Sequence, residues 1–179
     1  YTQAASGADL LVLCNINFSR PFLDQARRSG KRVATDVHAI TDLEDPFNLD
    51  FMRAADILFM SREWLPVTPE VWARRVWDRY DPEVLVIGMG KEGALLAVKS
   101  QGVIERVPAV TTRPVVNTIG AGDALFASFL HYYARTGDAY LSLRKAMVFT
   151  SYKIGSVSAA GGFLDESALD ALYAQASGS

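Results

Sequence analysis

Gly120, Gly122 and Asp123 stand together where a helix should begin. Val115 and Val116 precede them, and Leu125, Phe126, Phe129, Leu130 and Tyr133 follow at helical spacing. Glycine in a first turn costs roughly 1 kcal/mol against alanine, so two of them point to close approach of a ligand to bare backbone. Exposed N–H groups at the positive end of a helix dipole favour an anion, phosphate above all. A fixed carboxylate beside a phosphate repels it unless a transferable proton lies between them, and phosphoryl transfer to a hydroxyl supplies that proton. A nucleotide γ-phosphate would rest on the N–H groups of Gly120, Ala121 and Gly122 while Asp123 takes the proton. A carboxylate is a weak base, which suffices where the transition state is loose and the proton leaves late. Acidic residues also serve simply to start helices. The two glycines flanking Ala121 favour catalysis over that simpler role.

The heptad Asn117-Thr118-Ile119-Gly120-Ala121-Gly122-Asp123 resembles the D-T-x-G-A-G-D signature of the ribokinase-like (PfkB) family of sugar and nucleoside kinases. The resemblance extends more loosely from about Ala8 to Gly162. It implies ATP-dependent phosphorylation of a small sugar or nucleoside, with Mg²⁺, Asp123 as base and the G-A-G backbone as anion hole. Asn117 departs from the family's first aspartate, a position linked to a monovalent cation such as K⁺. The resemblance also makes residues 1–179 the C-terminal, nucleotide-handling part of a single ribokinase-like domain. The chain opens without an initiator methionine and runs at once into a buried-type strand, as though sugar-binding residues and a β lid preceded it. Family dimers commonly form through that lid, so a homodimer is a property expected only of the full-length protein.

The remaining pattern is that of a doubly wound α/β fold: a mainly parallel, Rossmann-like sheet with helices on both faces and one β-hairpin. Apolar strands are expected over 9–16, 32–37, 56–60 and 84–87. Between them, helices are expected from Ser19 and Pro21 to Gly30, around 49–54, and from Thr68-Pro69-Glu70 to about Tyr80. Strands over 94–99 and 103–107 make the hairpin. Three helices follow: the signature helix ended by Gly137, one from Asp138 to about Ile154, and one capped by Asp165. In such sheets ligands collect beyond the carboxyl ends of the strands.

Residues at those ends are the further candidates. Asp36 and His38 follow the second strand, where the family often shows D-x-N-x-R, and could meet a substrate hydroxyl or only cap a loop. Ser61-Arg62-Glu63-Trp64 falls where the family carries an N-x-x-E motif tied to Mg²⁺; Ser61 and Trp64 replace its ends, leaving Glu63 as the metal candidate beside Asn117. Gly88-Met89-Gly90-Lys91-Glu92-Gly93 spells the dinucleotide fingerprint G-x-G-x-x-G, but a strand rather than a helix follows it, which argues against NAD. The family has a similar nucleotide-lining segment there, so Gly88, Gly90 and Gly93 become nucleotide candidates. By the same resemblance Lys153, Gly155, Ala160 and Gly161 border the adenine and the cation site.

Composition bounds the rest. Half of the 179 residues are hydrophobic and the formal net charge is −2, which leaves no electrostatic footprint for nucleic acid. No apolar run approaches the ~20 residues of a membrane span. Cys14 is alone in an apolar run, which predicts a core position and a reducing, cytoplasmic setting. His38 and His131 show no zinc-ligand spacing. The competing function is a non-catalytic nucleotide or sugar sensor on the same fold, favoured by Ser61 and Trp64 and opposed by the intact G-A-G-D.

Overall fold

The computed structural model describes residues 2–158 and 161–177. They form two compact units, one of the described residues up to 89 with 95–105 and one of 90–94 with the described residues from 106 onward. In chain order the elements are α1 (Thr2–Ser6), β1 (Leu10–Val12), α2 (Leu23–Arg28), β2 (Arg32–Ala39), α3 (Leu49–Ala54), β3 (Ile57–Ser61), α4 (Pro69–Tyr80), β4 (Val84–Gly88), β5 (Ala94–Val98), β6 (Val103–Val107), α5 (Ala121–Thr136), α6 (Ala139–Lys153) and α7 (Glu166–Ser177).

The six strands lie in one sheet in the order β1 to β6, and β1 through β4 pair in parallel. The β4–β5 and β5–β6 connections are too short for a crossover, so these strands turn back antiparallel and the sheet is mixed. This is the expected α/β fold with its appended hairpin. Its strands are short apolar runs because both faces are covered: β5 is buried at every position and β3 and β4 at four of five. Side chains of period two face one core. Leu58 and Met60, Leu85 and Ile87, and Leu95 and Ala97 pack there with Phe51 and Met52 of α3 and Trp72, Ala73 and Val76 of α4.

Local chemistry sets the ends of these elements. α4 stops where Asp81 turns left-handed (φ 60°) ahead of Pro82, and α5 stops at Gly137 (φ 68°). Asp138 and Asp165 accept the N–H groups of Leu141 and Ala168 at 2.9 and 2.8 Å, the N-cap bonds that open the last two helices. Thr68, by contrast, makes no side-chain cap bond, and Pro69 alone marks that start.

Three expectations need correction. The first strand is only Leu10–Val12, and the short helix α1 precedes it where no element was foreseen. Cys14 is exposed rather than core, because the apolar run outlasts the strand that would have buried it. β2 continues to Ala39 with an irregularity: Asp36 pairs with Phe59, yet Ala39 pairs with Ser61, so three steps on one strand match two on the other. His38 sits inside that bulge at φ 58°.

In the second unit α5, α6 and α7 share a small core of Tyr132, Val148 and Leu169. A polar clasp ties them together. The Tyr132 hydroxyl donates to Asp170 Oδ1 at 3.1 Å, and Lys145 Nζ reaches the same oxygen at 2.6 Å. The Lys145 ammonium also lies 4.2 Å from the Tyr132 ring centroid. Burial pushes the Tyr132 phenol well above its ordinary range, with the Asp170 hydrogen bond adding in the same direction, so it remains a donor. The Lys145 hydrogen bond holds the Asp170 carboxyl below its ordinary value.

Asp170→Asn is therefore expected to cost about 1 kcal/mol or less at neutral pH, the discount reflecting a half-exposed carboxylate. The carboxyl's folded pKa is depressed, so its contribution is present above the unfolded value and is lost as pH falls through the folded one. Urea melts of both proteins should converge at acid pH below the ordinary aspartate range and separate at neutral pH. Gly93, at φ 100°, has no room for a side chain: a Cβ there would lie 2.6 Å from Ala109 N and 2.7 Å from Pro108 C. Gly93→Ala should cost about 2–3 kcal/mol in the same measurement, because backbone rather than a side-chain tip would have to move.

Candidate active site

Gly120 is the N-cap of α5 in a left-handed conformation, φ 77° and ψ 14°, which explains glycine there. Ala121 follows as the first helical residue, and its N–H turns back to Thr118 O at 3.0 Å. The N–H groups of Gly122 and Asp123 have no acceptor among the described residues. The Gly120 N–H likewise has no acceptor among the described residues, so Gly120 and Gly122 of the three expected donors are bare, Asp123 adds another, and the Ala121 N–H shapes the turn. The Asp123 side chain is exposed and stands in the same turn.

The segment entering α5 is pinned to the segment leaving α6. Val116 and Asn117 both donate their N–H groups to Ile154 O at 2.9 Å. Asn117 Nδ2 donates to Val157 O at 2.8 Å, and its Oδ1 accepts the Ile119 N–H at 2.9 Å. Lys153 Nζ donates to the Ile119 carbonyl. Arg113 braces the same junction, donating to Tyr152 O at 2.6 Å and Ser156 Oγ at 2.7 Å with its guanidinium 3.7 Å from the Tyr152 ring centroid. Gly155 leaves room for that arginine, since a Cβ would lie 2.6 Å from its Cγ and Cδ. Gly162, at φ 82°, lies so close to the Lys153 backbone that a Cβ would meet it at 3.1 Å.

Gly120, Asp123 and Lys153 line one cavity of about 520 Å³ in the second unit. Its wall continues through Ala127, His131, Tyr132, Phe163 and Glu166, so two carboxylate residues and a lysine line an otherwise mainly apolar hollow. Glu166 closes one side, within 3.9 Å of His131 Nε2 and 3.2 Å of Arg135 Nη2. Gly161 belongs to the neighbouring loop, where a Cβ would approach Ser158 Oγ at 3.0 Å. Ala160 lies outside the described residues.

The other candidates group separately. Gly90 opens a single 3₁₀ turn at φ 60°, and Gly93 closes it, both in the second unit. Asp36, His38, Ser61, Glu63 and Gly88 belong to the first unit. Register aligns three strand ends there: Ser61 pairs with Ala39 on one side and Gly88 on the other. Asp36 Oδ1 accepts the His38 N–H at 2.8 Å, and Oδ2 lies 3.6 Å from its Nδ1. Both residues lie within β2, and their contacts are made across its bulge. The Glu63 N–H is bonded to Ser61 Oγ at 3.2 Å, and Trp64 is 59% exposed. Among the described residues no three His, Cys, Asp or Glu side chains gather as metal ligands.

Sequence reasoning missed Arg113, His131, Phe163 and Glu166. Arg113 carries no motif, and the other three are brought to the cavity only by the packing of α5 against the α6–α7 connection. No helix is long and apolar enough to cross a membrane, among the described residues.

Comparison with known proteins bears on the same residues. Residues 35–165 match the pfkB family carbohydrate kinase model, well over half of the chain and including the Asp123 turn. A deoxyribokinase of Salmonella typhi is 37% identical over 70 residues, 39% of this chain and 22% of its own length. The microbiome-derived acarbose kinase Mak1 superposes with a TM-score of 0.87 at 27% identity, covering 96% of this chain and 58% of that one. Arabidopsis thaliana ribokinase, solved with ribose and ATP, superposes with a TM-score of 0.80 at 18% identity, covering 96% of this chain and 57% of that one. The chain thus spans less than two thirds of the length of each of these three relatives. With the family model matched over residues 35–165, through the G-A-G-D turn and most of the cavity lining beside it, the chain belongs to the pfkB family of carbohydrate kinases.

Proposed function

We propose that the full-length protein is an ATP-dependent kinase that phosphorylates a hydroxyl of a small sugar or nucleoside, and that residues 1–179 are the nucleotide-handling and catalytic part of its single domain. The observation that carries this reading is the α5 N-terminus. Gly122 and Asp123 offer bare N–H groups to an anion in the turn where the Asp123 carboxylate is exposed to take a proton. A phosphoryl group held on those donors and a hydroxyl held on Asp123 would stand side by side, and alignment supplies much of the catalysis in phosphoryl transfer. The sugar and nucleotide names of the relatives support the substrate class: a deoxyribokinase, an acarbose kinase, and a ribokinase solved with ribose and ATP.

Mg²⁺ bound to the nucleotide would neutralise phosphate charge. Magnesium retains waters and needs few protein ligands, so it would be held mainly through the nucleotide phosphates, with Glu63 as the protein candidate. Asp36 and His38 are the acceptor-side candidates of the first unit, and Gly88, Gly90, Gly93, Lys153, Gly155, Ala160 and Gly161 those for the nucleotide. The sensor reading keeps one specific support, the exposed Trp64 where the family's magnesium glutamate would stand.

Asp123→Ala in the full-length protein should lower kcat by about 10²–10⁴-fold, the usual worth of a positioned general base. Nucleotide affinity measured by calorimetry should change little, because the anion donors are backbone. Normal turnover in the variant would refute the role of Asp123.

A further inference from the structure

The family resemblance puts a monovalent cation near the anion hole, with an aspartate at the position of Asn117. The described residues of this junction do not fit such an ion. A cation is held by several oxygens and an anionic one above all, and Asn117 offers only a neutral amide: Oδ1 already accepts the Ile119 N–H at 2.9 Å on one lone pair, while Nδ2 points N–H donors at Val157 O, 2.8 Å away. The Ile154 carbonyl already accepts two N–H groups at 2.9 Å, and the Ile119 carbonyl accepts the Lys153 ammonium. The Ile154 oxygen is therefore fully committed to N–H donors, the Ile119 oxygen already faces an ammonium, and the side chain that the resemblance makes an anion is a neutral amide here.

Lys153 supplies the charge that the junction would otherwise lack. The residue is 4% exposed, and its ammonium pairs with no carboxylate among the described residues. A buried ammonium without a counter-ion is unfavourable unless dipoles or an incoming anion offset it. The Ile119 carbonyl is one such dipole. It uses one of the three ammonium donors, and Lys153 lines the cavity with Gly120 and Asp123.

We propose that Lys153 is a tethered replacement for the monovalent cation: its ammonium holds the Ile119 carbonyl, fixes the turn at Gly120, and adds fixed positive charge behind the anion donors, so the kinase needs no K⁺. Lys153 is on this account a positioning residue. The inference rests on the kinase reading, and its test separates the two. In equilibrium dialysis of the full-length wild-type protein with radiolabelled Rb⁺, no stoichiometric binding is expected. Acceptor-dependent ADP release should differ by less than about twofold between K⁺ and tetramethylammonium buffers, since an ion that does not bind has no coupling to catalysis. Lys153→Arg should keep most of the rate and Lys153→Met should lose it by about tenfold or more in tetramethylammonium, at similar melting temperatures. About one Rb⁺ bound per chain and displaced by K⁺, activation by K⁺ of more than about tenfold, or full activity of folded Lys153→Met without K⁺ would each overturn the proposal. Should Lys153→Met fail to fold, the wild-type dialysis decides alone. Absence of ADP release with every acceptor would count against the kinase reading, and the dialysis would still judge the lysine.

Discussion

The carbonyl of Ile154 is the fixed point of the second unit. By accepting the N–H groups of both Val116 and Asn117, it ties the strand-like approach to α5 onto the end of α6. Everything chemical follows from that tie. Asn117 can then bridge to Val157, Lys153 can reach the Ile119 carbonyl, and Gly120 can turn left-handed so that α5 starts with its donors bare. Arg113, packed on Tyr152 and bonded to Tyr152 O and Ser156 Oγ, resists slippage of the same two segments. A helix N-terminus becomes a usable anion site only when the preceding loop is rigid, and here polar bonds rather than apolar packing supply the rigidity.

This arrangement divides the labour between charge and shape. Backbone donors carry no net charge and cannot titrate, so they suit a task that must persist through a catalytic cycle. Asp123 is the exposed member, and on the proposed reading the one that takes the proton. Lys153 is buried against the turn and lines the same cavity. The clasp of Tyr132, Asp170 and Lys145 includes one residue of the cavity wall, Tyr132, and fastens α7, whose Leu169 and Glu166 also line the hollow.

The order of elements was legible because apolar runs of strand length alternated with capped helices. The G-A-G-D turn was legible because two glycines weaken a first turn, a cost that makes sense where a ligand must approach the backbone closely. Caps at Asp138 and Asp165 and the stop at Gly137 could be read residue by residue. The β2 bulge at His38 could not, since it depends on pairing with β3 rather than on local propensity. Cys14 misled because an apolar run shows hydrophobicity without showing where the strand ends. Nor could the sequence show that Thr118 would claim the Ala121 N–H, or that Arg113 would brace the loop, because both depend on how segments meet in space.

The central claim is that the α5 turn transfers a phosphoryl group to a hydroxyl. The most direct measurement is ADP release from Mg-ATP by the full-length protein across a panel of sugars and nucleosides. The account predicts release with one acceptor class and little without acceptor. ATP binding without acceptor-dependent release from any member of the panel would contradict it and leave the sensor reading in its place.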